Sequence, residues 1–226
     1  ARIITFWLVF RYLGEFLRRY AGKHQTETAF TSYANGFQAV PRLSLERMLC
    51  MTEIAGHPEA RLHCIHVAGT NGKGSVCAFL ESMLISAGYR VGKYISPNLV
   101  RVNERITVNG EEITDKALSS LLERMEAASV ETERRIKERP SQFEIWTTAA
   151  FCYFAEKECD YVILETGLGG EFDATNVIDG NVMAVLTHID LDHMQYLGDT
   201  VEKIAETKSK IIKKNCESGV AVSSHQ

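Results

Sequence analysis

His66-Val67-Ala68-Gly69-Thr70-Asn71-Gly72-Lys73-Gly74-Ser75 is the stretch from which the fold of this chain is read. An apolar run (Leu62, Ile65, Val67) enters a glycine-rich turn that ends in one lysine and one serine hydroxyl. Val76, Phe79, Leu80, Met83, Leu84 and Ala87 then recur at helical spacing. Strand, glycine turn, lysine and helix start together predict a phosphate cradle. Gly69, Thr70, Asn71, Gly72 and Gly74 offer backbone N–H groups, because glycines leave room for an anion to approach the chain. Lys73 is placed to reach terminal phosphates and Ser75 to ligate Mg²⁺. The usual G-x-x-x-x-G-K-[ST] spacing would put glycine at 67 and a hydroxyl at 74, whereas this chain has Val67, Gly74 and Ser75. A turn without a ligand is the plainer reading, but it leaves a lysine between two glycines with no packing reason.

Beyond this loop, apolar and polar runs alternate in a regular order. A short helix is expected over 41–55, strands over 62–67 and 91–95, and a helix over 74–87. Asn109-Gly110 between alternating residues predicts a hairpin with a type I′ turn. Thr114 or Asp115 can cap a helix running toward Lys137, and Pro140 separates it from a helix over 142–158. Strands are expected over 161–164, 182–187 and 220–223, with a helix over 200–214 between the last two. Continuous apolar strands alternating with helices give an α/β fold: a mostly parallel sheet with helices on both faces, of the P-loop NTPase type. In such sheets ligands bind where strand C-termini meet the following loops.

Composition narrows the function classes. Of 226 residues, 45% are hydrophobic and 24% charged, which suits a soluble globular chain. A net charge of −4 argues against a nucleic-acid surface. Cys50, Cys64, Cys77, Cys152, Cys159 and Cys216 form no C-x-x-C pair and no zinc spacing, so buried free thiols in a reducing cytosol are expected. No stretch is long enough to span a membrane. Residues 1–23 carry five basic residues (Arg2, Arg11, Arg18, Arg19, Lys23) against Glu15, with apolar residues from Ile3 to Phe10 and no initiating methionine. Residues 1–30 therefore read as an upstream extension or cloning artefact, with a targeting peptide as the alternative.

Other residues at strand ends carry chemistry. Glu165 follows Tyr161-Val162-Ile163-Leu164 and precedes Gly167-Leu168-Gly169-Gly170, where a carboxylate beside a phosphate loop suits Mg²⁺-nucleotide chemistry. Asp190, Asp192 and His193 offer hard oxygen and imidazole ligands, although each taken alone reads as a turn cap or surface residue. His188 alternates with Leu186 and reads as structural. Lys208 lies on the apolar face of Val201, Ile204, Ile211 and Ile212, and from pattern alone it reads as a snorkelling lysine.

These stretches carry a family resemblance. The loop at 66–75, Tyr94-Ile95-Ser96-Pro97-Asn98-Leu99-Val100-Arg101 with Glu104-Arg105-Ile106, Leu164 to Gly170 with Asp173-Ala174-Thr175-Asn176, and Leu191-Asp192-His193 occur in this order. Together they resemble folylpolyglutamate synthase and dihydrofolate synthase, members of the Mur ligase superfamily, from about Leu43 to Gln226. The resemblance implies a Mur ligase central domain and an ATP-dependent amide ligase. A folate or dihydropteroate carboxylate becomes an acyl phosphate, which the amine of L-glutamate then attacks.

The resemblance also implies roles. Thr70 to Lys73 would hold ATP phosphates. Ser75, Ser96, Glu165 and His193, with Lys208 once carbamylated, would serve a pair of Mg²⁺ ions, and Lys73, His193 and Lys208 form the catalytic group. Lys208 matches a lysine that is carbamylated in these enzymes, and carbamylation reverses the snorkelling reading. Ser141, Gln142, Phe143, Glu144, Phe172, Asp173 and Ala174 match segments lining the pterin pocket, as does the stretch near Pro41 to Leu43. Glu171, Asn98, Thr207 and Ser209-Lys210 depart from the usual residues, which bears on substrate preference rather than on the reaction.

Similar enzymes continue with the end of the ATPase domain and a C-terminal Rossmann-like domain. Residues 31–226 are therefore expected to be an ATP-binding domain cut short at its C-terminal end, without the glutamate-ligase domain and with little turnover alone. A cytoplasmic monomer, with a mitochondrial address as the alternative and without nucleic-acid or membrane partners, completes the expectation. Competing readings are a Mur-type ligase of cell-wall precursors, a non-catalytic nucleotide-binding module, and a generic P-loop phosphotransferase.

Overall fold

The computed structural model describes residues 43–221. The expectations for residues 1–30, for Pro41, and for the last residues of the final strand lie outside the described residues. Seven strands form one sheet in the order β4-β3-β2-β5-β1-β6-β7. They are β1 (Cys64–Ala68), β2 (Val91–Tyr94), β3 (Ile106–Val108), β4 (Glu111–Glu112), β5 (Tyr161–Glu165), β6 (Met183–Leu186) and β7 (Ser218–Ala221). From β2 to β7 all neighbours pair in parallel, with β1 held between β5 and β6. The antiparallel pairings are β2 with β3 and β3 with β4, so β3 alone runs against the rest. β3 and β4 form the expected hairpin, whose Asn109 and Gly110 both take positive φ, 52° and 76°.

Helices cover both faces. On one face α2 (Lys73–Ser86) packs its Cys77, Val76, Leu80 and Leu84 on Ile65, Val67, Val91, Ile163 and Val185. On the other, Cys64, Tyr94, Val162 and Leu164 meet α1 (Glu46–Ile54), α3 (Asp115–Ile136) and α4 (Gln142–Glu156). Alternate residues of one strand thus serve two cores, which is why these strands read as continuous apolar runs. α3 buries Leu118, Leu121, Met125, Ala128 and Thr132, one helical stripe, and its N-cap Thr114 accepts from Ala117 N at 3.3 Å. All six cysteines are free thiols; Cys64, Cys77 and Cys152 are buried and the rest half-buried.

Two expectations need correction. The apolar stripe of α2 is wider than its contact with the sheet, so Phe79 and Met83 are each 60% exposed. The helix expected over 200–214 is α6 (Val201–Ser209), which stops early, and a short helix that was not expected, α5 (Met194–Leu197), precedes it. Asn176 Nδ2 reaches Lys210 O at 3.4 Å and Asn181 Nδ2 reaches Ile211 O at 3.1 Å, so side chains satisfy the carbonyls that further helix would have used. Among the described residues no helix is long and apolar enough to cross a membrane.

Candidate active site

The C-terminal ends of β1, β5 and β6 converge on the glycine turn between β1 and α2. Gly69 must be glycine here. A Cβ on it would lie 1.7 Å from Thr187 Oγ1, inside any contact distance. That threonine, at the end of β6, donates to Asn71 O at 2.8 Å. Thr70 N and Asn71 N donate to His188 O at 2.8 and 3.3 Å. Thr70 Oγ1 donates to Asp190 O and accepts from Asp190 N. The turn is therefore sewn to the 187–190 loop, and two backbone N–H groups expected to face a phosphate are spent on that seam. The N–H groups left open lie at the helix start, where Lys73, Gly74 and Ser75 have no intrahelical acceptor. His188 is structural through its carbonyl. Asp190 is a turn residue whose Oδ1 accepts from Leu191 N.

Lys73 Nζ folds back on the turn, 3.1 Å from Gly69 O and 3.5 Å from Thr70 O. From α6, Lys208 reaches the same Gly69 carbonyl at 2.9 Å. Lys208 is 3% exposed, so it is no snorkelling side chain. Burial first, and then Lys73 beside it, bring its pKa down to about 8. The glycine-rich 167–170 turn explains how α6 comes so close. A Cβ on Gly170 would stand 2.7 Å from Thr207 O and 2.8 Å from Lys208 O.

Glu165, at the tip of β5, is buried, and its one hydrogen bond among those described is a long one, 3.4 Å from Ser96 N. Oε2 would lie 3.9 Å from a Cβ on Gly74, so the carboxylate sits over the start of α2. Burial pushes its pKa up, against the pull of Lys73. A desolvated carboxylate with so few internal donors fits a hard cation. His193 is differently placed: its ring is exposed, Nε2 is 3.6 Å from Asp192 Oδ2, and the backbone is left-handed with φ 47°. Among the described residues no three His, Cys, Asp or Glu side chains form a ready-made metal cage. Mg²⁺ held by one or two carboxylates plus phosphates needs none.

The segments expected to line a substrate pocket divide into two kinds. Ser141 and Glu144 form a capping box at the start of α4, and Glu144 also binds the buried Arg47 Nε at 3.0 Å. Asp173 is buried and holds Leu168 N at 2.7 Å and Thr175 N at 3.0 Å. Burial pushes its carboxyl up, while these hydrogen bonds pull it back. Ala174 is buried too. The side chains left near the surface are Gln142, Phe143 and the 44% exposed Phe172. Phe143 lies against Gly167, where a Cβ would come within 2.6 Å of its ring. Sequence reasoning places the stretch Thr187 to His193 at a strand end but gives no role to Thr187, the hydroxyl that closes the turn. It stands as a polar residue directly after an apolar strand.

Residues 67–226 match the Mur ligase middle domain. The chain belongs to that family. This Mur ligase middle domain is 48% identical over 170 residues to the dihydrofolate synthase/folylpolyglutamate synthase of Bacillus subtilis, a match covering 75% of this chain and 39% of that protein. It superposes on a Mycobacterium tuberculosis folylpolyglutamate synthase complexed with ADP and AMPPCP at TM-score 0.73 and 32% identity, covering 79% of this chain and 41% of the other. An FPGS–AMPPCP–folate complex gives TM-score 0.77 at 34% identity, over 84% and 47% of the two chains. The domain spans about two-fifths of the length of the Bacillus relative it matches.

Proposed function

We propose that this domain handles nucleotide and metal for an ATP-dependent ligase that joins L-glutamate to a folate or to dihydropteroate. The observation that carries the reading is the meeting of Lys73, Lys208 and Glu165 at three strand ends around one glycine turn. The relatives named above support the choice of acceptor.

In this reading the first-turn N–H groups of α2 and Lys73 take the β- and γ-phosphates of ATP. Lys73 leaves the Gly69 and Thr70 carbonyls to do so, exchanging neutral acceptors for anionic ones. Glu165, with Ser75 and Ser96 beside the loop and His193 from the facing loop, would hold Mg²⁺, which supplies charge neutralisation on the transferring phosphoryl group. An acceptor carboxylate attacks the γ-phosphorus, ADP leaves, and the acyl phosphate so formed has phosphate in place of hydroxide as leaving group. The glutamate amine then attacks the acyl carbon, and phosphate departs.

Lys208 carries the carbamate in this reading. A pKa of about 8 leaves roughly a tenth of the amine unprotonated at pH 7, far more than an ordinary lysine, and that is the form that adds to CO₂. A carbamate nitrogen keeps one proton, enough for the bond to Gly69 O, and its carboxylate would turn repulsion by Lys73 into attraction.

Two measurements test the proposal. Calorimetry on this chain should show Mg-ATP binding, then folate or dihydropteroate binding, with no competition from a UDP-sugar precursor. ADP release by the complete gene product, with Mg-ATP and L-glutamate, should rise on adding dihydropteroate or tetrahydrofolate. Mg-ATP binding with no response to either acceptor would leave a nucleotide-binding module and overturn the ligase reading.

A further inference from the structure

His66 interrupts an otherwise apolar strand, and nothing in the phosphate or metal chemistry uses it. The ring is fully buried in β1, directly beneath the glycine turn, with Nε2 2.7 Å from Thr175 Oγ1. Thr175, equally buried, contacts Asp173 Oδ1 through the same hydroxyl. Asp173 Oδ1 also accepts from Thr175 N, and Oδ2 accepts from Leu168 N at 2.7 Å.

The polarity of this line can be worked out. A hydroxyl has a single proton. Asp173, facing backbone N–H donors on both oxygens, is an acceptor, so Thr175 gives that proton to the carboxylate. Thr175 Oγ1 must then accept from His66, which fixes the ring as the Nε2–H tautomer. The remaining nitrogen, Nδ1, becomes a bare lone pair, and it has no partner in the structure. A bare buried acceptor is tolerated better than a bare buried N–H, so the assignment is also the cheaper one. Burial keeps the ring neutral, with a pKa of about 3.

We propose that His66 and Thr175 are positioning residues whose hydrogen-bonded line to Asp173 and Leu168 N fixes the 167–170 turn to the strand beneath the phosphate loop. This turn packs on Phe143 and on the backbone of Lys208. His66 thereby sets the distance between the acceptor side and the phosphate side of the site. That last step rests on the ligase reading; the coupling of His66 to the turn does not.

The test is amide hydrogen exchange on this chain in five forms: wild type, T175V, T175S, H66M and H66Q. Exchange at Leu168 is read against Ile163, in the middle of β5. T175V and H66M should speed Leu168 about tenfold relative to Ile163, whereas T175S and H66Q, which keep a hydroxyl and a side-chain N–H, should stay within about threefold of wild type. Equal acceleration at both amides, or an unchanged Leu168, overturns the proposal. ¹⁵N spectra should show His66 protonated on Nε2; a proton on Nδ1 overturns it as well. Folate affinity should fall in H66M while Mg-ATP affinity holds. Unchanged folate affinity in a variant whose Leu168 exchange has accelerated removes the link to the acceptor. Failure of wild type to bind folate counts against the ligase reading alone.

Discussion

Lys73 and Lys208, 135 residues apart in sequence, direct their ammonium groups at one oxygen, the carbonyl of Gly69, from 3.1 and 2.9 Å. Two like charges on one acceptor repel, and the cost falls on the more buried of the pair. Replacing Lys73 by Met should therefore raise the pKa of Lys208 from about 8. Amine labelling across pH, read by mass spectrometry at Lys208, measures it. An unmoved midpoint in K73M would show that burial alone sets the value.

Glu165 combines burial with few hydrogen bonds, an arrangement that costs stability unless a cation is supplied. Glu165→Gln should leave the melting temperature of the ligand-free chain unchanged or higher. The same variant should weaken Mg²⁺-dependent ATP binding at least about tenfold, the loss of one charged ligand contact. A variant that melts lower and binds Mg-ATP normally would assign Glu165 a structural task instead.

The His66 ring gives the fold a defined acid sensitivity. Its folded pKa, about 3, lies below the ordinary 6.5, so the unfolded chain binds more protons between those values. Stability from this group is complete above about pH 6.5 and is lost as pH falls toward 3. Urea melts from pH 7 to 4 should show a smaller decline in H66Q than in wild type. Parallel declines would rule His66 out as the source.

Gly170→Ala drives a methyl group into the backbone of α6, at 2.7 to 2.9 Å from Thr207 and Lys208 atoms. A loss of about 1–3 kcal/mol is expected, as for other overpacked sites. Gly219→Ala meets nothing within 4 Å and serves as the control, expected within about 0.5 kcal/mol of wild type. Denaturant titration compares the two. Similar losses in both would mean that the close approach at Gly170 is not what matters.

Arg47 is buried between Glu144 at 3.0 Å and Glu138 at 2.7 Å. Arg47→Met strands the Glu144 carboxylate inside the protein and should cost about 3–5 kcal/mol. The double variant with Glu144→Gln should recover part of that loss, because the stranded charge is gone. No recovery would mean that the arginine stem, rather than its charge, does the holding.

Much of this was legible in the residues because local signals agreed with one another. The glycine turn, the Asn109-Gly110 hairpin and the Thr114 cap each dictate their geometry within a few residues, and each sits where it was expected. The sheet's parallel centre was legible because strands buried on both faces have no polar alternation. What escaped reading depended on distant partners. The end of α6 is set by Asn176 and Asn181, 34 and 30 residues upstream of the carbonyls they bind. Ser141-Gln142-Phe143-Glu144 carries a capping-box pattern, which the resemblance to a pocket wall overshadowed. Spacing alone did not show that Asp173 is buried and accepts from Leu168 N and Thr175 N. Which way a side chain turns from a loop depends on what the rest of the chain offers it, and sequence spacing does not carry that information.

The seam joining Thr70 and Asn71 to His188, Thr187 and Asp190 has a mechanical consequence. The turn after β1 and the loop after β6 share five hydrogen bonds across the gap, so neither can swing without carrying the other. They behave as one stiff bracket bolted to the middle of the sheet, with Lys73 at one end and Asp192 and His193 at the other. Displacing the 187–190 loop therefore displaces the turn that carries Lys73, so whatever rests on one of the two is coupled to both.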